Sequence, residues 1–384
     1  MAEVRPFIGL TYNREVINNL KDVISPPFDT IPPELHKNLY DRHLYNIVRL
    51  ELPSGEGEEK YINAGKILES WIESRILVPA EGARFYLYKE RYILNGEERV
   101  LRGLFGAVRL EPFDKRVILP HELTFPKPKE DRLNLLRATG SNISPILGIY
   151  FDDSDSSNRI WEDTRSQKPL FEDEDFSFWE VEDGLEGIVA LFEDKVILIA
   201  DGHHRYETAL EYKIEMESRL KKTGPYSFVM FFLVEANTGG LSLLPTHRVI
   251  RGIPEQFDES ILKSFHLEEV ERPDLNRDEN ICYLYRYGKF SMFRTESLNV
   301  VSLHEFLETF SELTIHYTHN MEEALSLVDG GGYDLAFIVT PPSMDTVRKV
   351  VEKGDRLPHK STYFYPKIGA GLVLYNHNLN LEMR

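Results

Sequence analysis

The run Val196-Ile197-Leu198-Ile199-Ala200 constrains the fold more than any other stretch of the chain, because neither of its alternating faces carries a polar side chain. A strand of this kind is buried on both sides, so the chain must place it inside a sheet with further layers above and below. The run stops at Asp201-Gly202-His203-His204-Arg205, and apolar residues resume at Tyr206, Ala209 and Leu210. That order predicts a buried strand, a polar turn and a helix starting near Arg205 and ending before Gly224-Pro225. A second unbroken run, Phe228-Val229-Met230-Phe231-Phe232-Leu233-Val234, predicts another buried strand.

Around these strands the pattern is mixed. Tyr61, Ala64, Ile67, Leu68, Trp71 and Ile72 recur at spacings of three and four, which predicts a helix over 59–74. Asn95-Gly96 lies between the strand-like 85–94 and 100–108, a strong signal for a two-residue hairpin turn. After a boundary near Arg251-Gly252-Ile253-Pro254 a fresh series begins. It predicts helices from about Ser260 and Ser302, a hairpin around Tyr287-Gly288-Lys289, a helix over 322–328 and a strand over 334–340. A further helix follows Ser343, whose hydroxyl suits an N-cap. The expected fold class is α+β, with a phosphate-binding domain over 1–250, a smaller α/β domain over 251–356, and a C-terminal segment, 357–384, returning to the first domain.

With 384 residues, 42% of them hydrophobic, the chain can bury a large core. No apolar stretch approaches the roughly 18 residues that span a bilayer. The start, Met1-Ala2-Glu3-Val4-Arg5-Pro6, lacks a signal-peptide core. The single cysteine, Cys282, sits in an apolar strand-like setting and reads as a buried, inert thiol. These features lead to the expectation of a cytoplasmic protein. The formal charge of −18 and the lack of a basic run argue against nucleic acid as a partner, while a small anion can still bind in a locally positive pocket.

The chemistry is expected at Asp201-Gly202-His203-His204-Arg205. A helix start offers backbone N–H groups and the positive end of the helix dipole, which suit a phosphate. His203, His204 and Arg205 add donors there, and Arg can grip two oxygens at once. Asp201 is unusual beside an anion, and metal ligation, orientation of a histidine or action as a base would each explain it. The plainer alternative is a helix cap flanked by exposed turn residues. Three other segments carry polar groups: His121-Glu122 with Thr124 and Arg132; Thr246-His247-Arg248; and Lys360-Ser361 with Lys367. Each reads equally well as an ordinary loop or strand end. The His-Glu pair lacks the spacing of a zincin, and no Walker-type loop or cysteine zinc signature occurs.

In their order, Ser25-Pro26-Pro27-Phe28-Asp29, His121-Glu122-Leu123-Thr124 with Asp131-Arg132, the Asp201 segment, Leu244-Pro245-Thr246-His247-Arg248 and Lys360-Ser361-Thr362-Tyr363-Phe364-Tyr365-Pro366-Lys367 resemble the family called domain of unknown function 1015. Locally, Asp201-Gly202-His203-His204-Arg205 followed by Ala209 is similar to the phosphate box of the ParB/sulfiredoxin superfamily, which includes free serine kinases. That resemblance implies a ParB/sulfiredoxin-like core, phosphate binding by Gly202, His203, His204 and Arg205, and a place for Asp201 near the reacting centre.

The leading expectation is therefore a nucleotide-dependent phosphotransferase acting on a small hydroxyl metabolite such as serine. It would use ATP or ADP with Mg²⁺, held by Asp201 or Glu122. Glu122, Asp201 and His204 are the expected catalytic residues. Thr246, His247, Arg248, Lys360, Ser361 and Lys367 are expected to add to the anion site, with His121, Thr124 and Arg132 as further candidates. Two alternatives stand beside it: a phosphohydrolase acting on a phosphorylated metabolite, and a non-catalytic nucleotide-binding regulator. Homo-oligomers are compatible with all three.

Overall fold

The computed structural model describes residues 1–122, 127–152, 154–164, 167–276 and 278–383, with the side chains at 127, 128 and 164 left aside. Thr124 therefore lies outside the described residues. The chain divides into two compact units. One comprises Met1–Pro120, Thr124–Leu241 and Pro366–Arg384, the other His121–Leu123 and Ser242–Tyr365.

In the first unit the two apolar runs become Ile197–Asp201 and Phe228–Glu235, both inside a mixed nine-stranded sheet. Ile197–Asp201 lies between Ile118–Pro120, its parallel partner, and Ile146–Tyr150, its antiparallel partner. Phe228–Glu235 pairs with Ile146–Tyr150 and with Glu97–Arg109. Ile197 and Ile199 are fully buried, and their cluster includes Ile146, Phe231, Leu233, Tyr206 and Ala209. Val196 lies outside the strand and is exposed, but for the rest of both runs sheet neighbours and the layer containing Tyr206 and Ala209 exclude water.

The hairpin Phe85–Leu94 with Glu97–Arg109 turns through Asn95 and Gly96 at φ +52° and +81°. Both are left-handed, as a type I′ turn requires. The helix expected over 59–74 is found at Glu59–Glu73. A smaller four-stranded sheet joins Leu77–Pro79, Gly9–Tyr12, Leu374–Asn376 and Ser141–Asn142, so of the segment expected to return only Pro366–Arg384 belongs to the first unit, while 357–365 belong to the second.

In the second unit a six-stranded antiparallel sheet runs in the order Glu268–Val270, Lys289–Arg294, Ile281–Arg286, Leu335–Val339, His247–Arg251, Thr314–Thr318. The alternation of its strands separates two cores. Ile250, Leu335, Phe337, Val339 and Cys282 pack with Val300 and Leu303 on one face, and Val249, Ala336, Ile338 and Tyr283 pack with Ala324 on the other. Cys282 is buried, and burial pushes its thiol well above the ordinary range, so it is held protonated.

Ser343 caps Met344–Lys353 by accepting from the Thr346 N–H. Two helices start about a turn earlier than the apolar spacing suggests, at Phe257 and Asn299. Asn299 belongs inside because its amide reaches the Ile281 carbonyl at 2.7 Å and the Thr340 hydroxyl at 2.6 Å. The fold is mixed α and β, as expected, and among the described residues no helix is long and apolar enough to cross a membrane.

Gly148 makes the packing around the Ile197–Asp201 strand possible. A Cβ there would stand 2.7 Å from Phe231 Cδ1 and 2.9 Å from both Ile197 Cγ2 and Leu233 Cδ2. Gly148→Ala is expected to lower stability by about 1–3 kcal/mol through overpacking. Chemical denaturation of the variant beside the wild type measures it, and equal midpoints would contradict this account of the packing.

Candidate functional site

The Ile197–Asp201 strand, second from the sheet's edge, ends irregularly. Ile199 pairs with Gly148 but Asp201 pairs with Leu147, so Ala200 is the extra residue of a bulge. Bulges re-aim the side chains that follow them, and here Asp201 comes next. Gly202 then takes φ +93°, a left-handed conformation that few L-residues tolerate. A Cβ at Gly202 would also lie 2.9 Å from Arg205 Nε. This turn admits both histidines to the helix, which runs His203–Leu220 and so starts two residues before Arg205. Its first intrahelical bond is from the Tyr206 N–H to the Gly202 carbonyl, at 3.0 Å. Within the helix, the N–H groups of His203, His204 and Arg205 point ahead of the first carbonyl acceptor. The Tyr206 hydroxyl anchors this end from below, donating to the Glu111 carbonyl at 2.8 Å.

Asp201 is held between two cations. Lys367 Nζ lies 2.8 Å from Oδ1 and Arg205 Nη2 lies 2.9 Å from Oδ2. The three side chains are 18%, 17% and 10% exposed, so water screens them weakly. Burial by itself pushes the Asp201 carboxyl up, but the charge of Lys367, then Arg205, the Lys367 hydrogen bond and His203 outweigh it and hold it well below the usual carboxylate range. Asp201 is therefore ionised at neutral pH and a weak proton acceptor, which argues against its expected role as a base. Arg205 also differs from expectation. Besides binding Asp201 it donates to the Pro145 carbonyl, so its guanidinium positions the junction. Asp201 thus stands between two cations at the end of the helix where the dipole favours an anion.

Arg132 lies close to the junction, since it lines the same cavity as Arg205. Its guanidinium bonds Asp131 and the Glu51 carbonyl and sits 4.0 Å over the Phe28 ring. Glu51, Arg132, Ser144 and Arg205 line one cavity of about 50 Å³, which is large enough for water and far too small for a nucleotide. Burial pushes the Glu51 carboxyl up, against the charges of Arg132 and Arg205. Sequence reading missed Glu51, Ser144 and Pro145, since nothing near them in the chain distinguishes them from core or loop residues.

The second unit holds the remaining candidates. Glu122 Oε1 accepts from the Thr362 hydroxyl at 2.8 Å and from the Thr362 N–H at 3.1 Å, while Oε2 accepts from the Lys360 N–H at 3.3 Å. His121 Nε2 is 2.6 Å from the Thr362 hydroxyl oxygen. Because that hydroxyl donates to Glu122, it accepts from His121. The two neighbours thus converge on one threonine. The Lys360 side chain is exposed, and Ser361 is buried with its hydroxyl on the Pro358 carbonyl. His247 Nδ1 accepts from the Val339 N–H at 3.3 Å; burial first, then the charges of Arg248 and His319, push this imidazole down to about 3. Thr246 and Arg248 are buried. Among the described residues no group of three or more His, Cys, Asp or Glu side chains is arranged to hold a metal ion.

Asp201→Asn is expected to leave Lys367 and Arg205 without their counter-charge and to destabilise the protein by about 3 kcal/mol at pH 7, the lower end for a broken enclosed pair. The sign with pH follows from the depressed folded value. The carboxylate's contribution is full above its unfolded value of about 4 and is lost as pH falls through the folded one. Melting temperatures of wild type and variant should therefore converge in acid. A constant gap from pH 7 down to strong acid would disprove the ion-pair account.

A family model described as a protein of unknown function, DUF1015, matches residues 4–320. No curated protein matches the chain. Among solved structures, a conserved hypothetical protein from Pyrococcus furiosus is 15% identical, with 72% of this chain and 97% of that one covered at a TM-score of 0.43. A free serine kinase variant in complex with AMP is 17% identical, with 71% and 92% covered and a TM-score of 0.42. SbnI with a C-terminal truncation, from Staphylococcus aureus, is 14% identical, with 69% and 84% covered and a TM-score of 0.41.

Proposed function

For this chain, which belongs to the DUF1015 family of proteins of unknown function, we propose nucleotide-dependent phosphoryl transfer to a small hydroxyl metabolite, of which serine is the type. The observation that carries the reading is the junction of Asp201, Gly202 and the His203–Leu220 helix, where Lys367 and Arg205 gather at a helix start with donors from His203 and His204. Phosphoryl transfer asks a protein mainly for positioning and for neutralisation of phosphate oxygens. In this reading the first-turn N–H groups, His203 and His204 bind the phosphates of ATP or ADP. Lys367 supplies positive charge, oriented by Asp201, and Arg205 keeps Asp201 in place.

Mg²⁺ ordinarily accompanies nucleotide phosphates and binds through one or two carboxylates. Asp201 fits that role poorly, because each of its oxygens already faces a cation. No step is assigned to the metal here. Nor does the weakly basic Asp201 take the proton of the attacking hydroxyl. Glu122, the other carboxylate in which the sequence suggests a base, belongs to the second unit, where its oxygens accept from Lys360 and Thr362.

Calorimetric titration of the full chain with ATP, ADP and inorganic phosphate, followed by phosphorus NMR with serine present, tests the proposal. Lys367→Met should weaken nucleotide binding about 10- to 100-fold, the range for loss of a charge-assisted contact. Lys367→Arg, which keeps the charge beside Asp201, guards against reading misfolding as lost affinity. Nucleotide affinity unchanged in both Lys367→Met and a His203→Ala/His204→Ala double variant would overturn the junction as the phosphate site. Phosphate release from a phosphorylated metabolite without any nucleotide would replace transfer with hydrolysis, and binding without turnover would leave a nucleotide-binding regulator.

A further inference from the structure

Arg248 is among the largest fully buried side chains of the protein, at 2% exposure, and no ion pair reaches it among the described residues. Its Nη1 donates to the Thr246 carbonyl at 2.8 Å, while Nη2 has no hydrogen-bond partner. The Thr246 hydroxyl, on the residue whose carbonyl Nη1 meets, is also buried and without a partner. A guanidinium out of water without a counter-charge is among the costliest arrangements a protein can hold, and buried charges are ordinarily paired. Two polar atoms left unsatisfied side by side call for an explanation.

The surroundings describe what would satisfy them. Tyr317, the cross-strand neighbour of Arg248, has its ring centroid 6.0 Å from the guanidinium. The His359 ring is 6.2 Å from that of Tyr317 and 5.0 Å from that of His304. His359 is only half-buried, so this line of rings leads from Arg248 towards solvent. We propose that Arg248 and Thr246 form a binding site for the carboxylate of a small organic acid, reached past His359. The carboxylate would accept from Nη2 and from the Thr246 hydroxyl, satisfying both atoms at once.

The charge balance favours a carboxylate over a phosphate. Glu122 is within electrostatic range of both Arg248 and His359, and the two nearest imidazoles are held towards the neutral form: His359 by burial and then by His304, His247 by burial and then by Arg248. A monoanion matches the single guanidinium. A dianion would meet one cation and the field of Glu122. This site rests on the second unit alone and is independent of the phosphate junction.

Isothermal titration of the full chain with acetate, lactate and serine, at ionic strength held constant with chloride, tests it against serine methyl ester, lactamide and inorganic phosphate. At least one carboxylate should bind, and its ester or amide should bind about 10-fold or more weakly, as expected on losing a charge-assisted contact. Arg248→Met should abolish that binding and, by removing an uncompensated buried charge, leave the unliganded protein no less stable. If Arg248→Met fails to fold, Arg248→Lys and Thr246→Val carry the test, each weakening the carboxylate about 10-fold. Carboxylate binding indifferent to all three variants, no binding of any carboxylate by the wild type, or an Arg248-dependent preference for inorganic phosphate would each overturn the proposal. Phosphate binding that depends on Lys367 reports on the junction separately, so either assignment can fail without the other.

Discussion

Asp201 stands where an all-apolar strand leaves the core, and its ionised carboxylate, clasped by Lys367 and Arg205, is the contact on which the first unit's site depends. The order of causes is clear. Burial of Ile197 and Ile199 fixes the strand. The bulge at Ala200 and the left-handed Gly202 turn the chain. The charge trio then holds the start of the His203–Leu220 helix at the sheet edge. The contact also decides what Asp201 can do, because a carboxylate stabilised as an anion by two cations binds protons weakly. Its place in the site is electrostatic and positional.

The two units handle buried charge in opposite ways. In the first unit the enclosed charges around the junction have partners: Asp201 with Lys367 and Arg205, Glu51 with Arg132 and the Ser144 hydroxyl. In the second unit Arg248 lies in a strand between Tyr317 and Phe337, with a carbonyl as its protein partner. A fully paired network rigidifies its surroundings, whereas an uncompensated cation stores a cost that a ligand can relieve. Low dielectric acts in both places; what differs is whether the chain supplies the counter-charge.

Much of the fold was readable in the sequence because its signals are local. Unbroken apolar runs marked the two buried strands, Asn95-Gly96 marked a turn needing two left-handed residues, and Ser343 marked a helix start. Helix starts were less legible where the first turn is polar. His203 and Asn299 look like loop residues until a left-handed glycine or a buried side-chain amide places them inside the helix. The site was legible in part. The segment from Asp201 to Arg205 stood out as a polar cluster after an apolar strand, but Arg205 read as a phosphate clamp and is tied instead to Asp201 and Pro145.

Sequence alone determined the elements whose cause lies within a few residues: which runs must be dry, where the chain turns, and where a helix can open onto a dense set of donors. Tertiary structure decided which charges meet. Lys367 lies 166 residues from Asp201, and Glu51 lies 81 residues from Arg132. No periodicity or propensity carries information over such separations. Whether a buried charge is satisfied is settled by the whole chain's packing, because only that packing determines both the removal of water and the arrival of a partner.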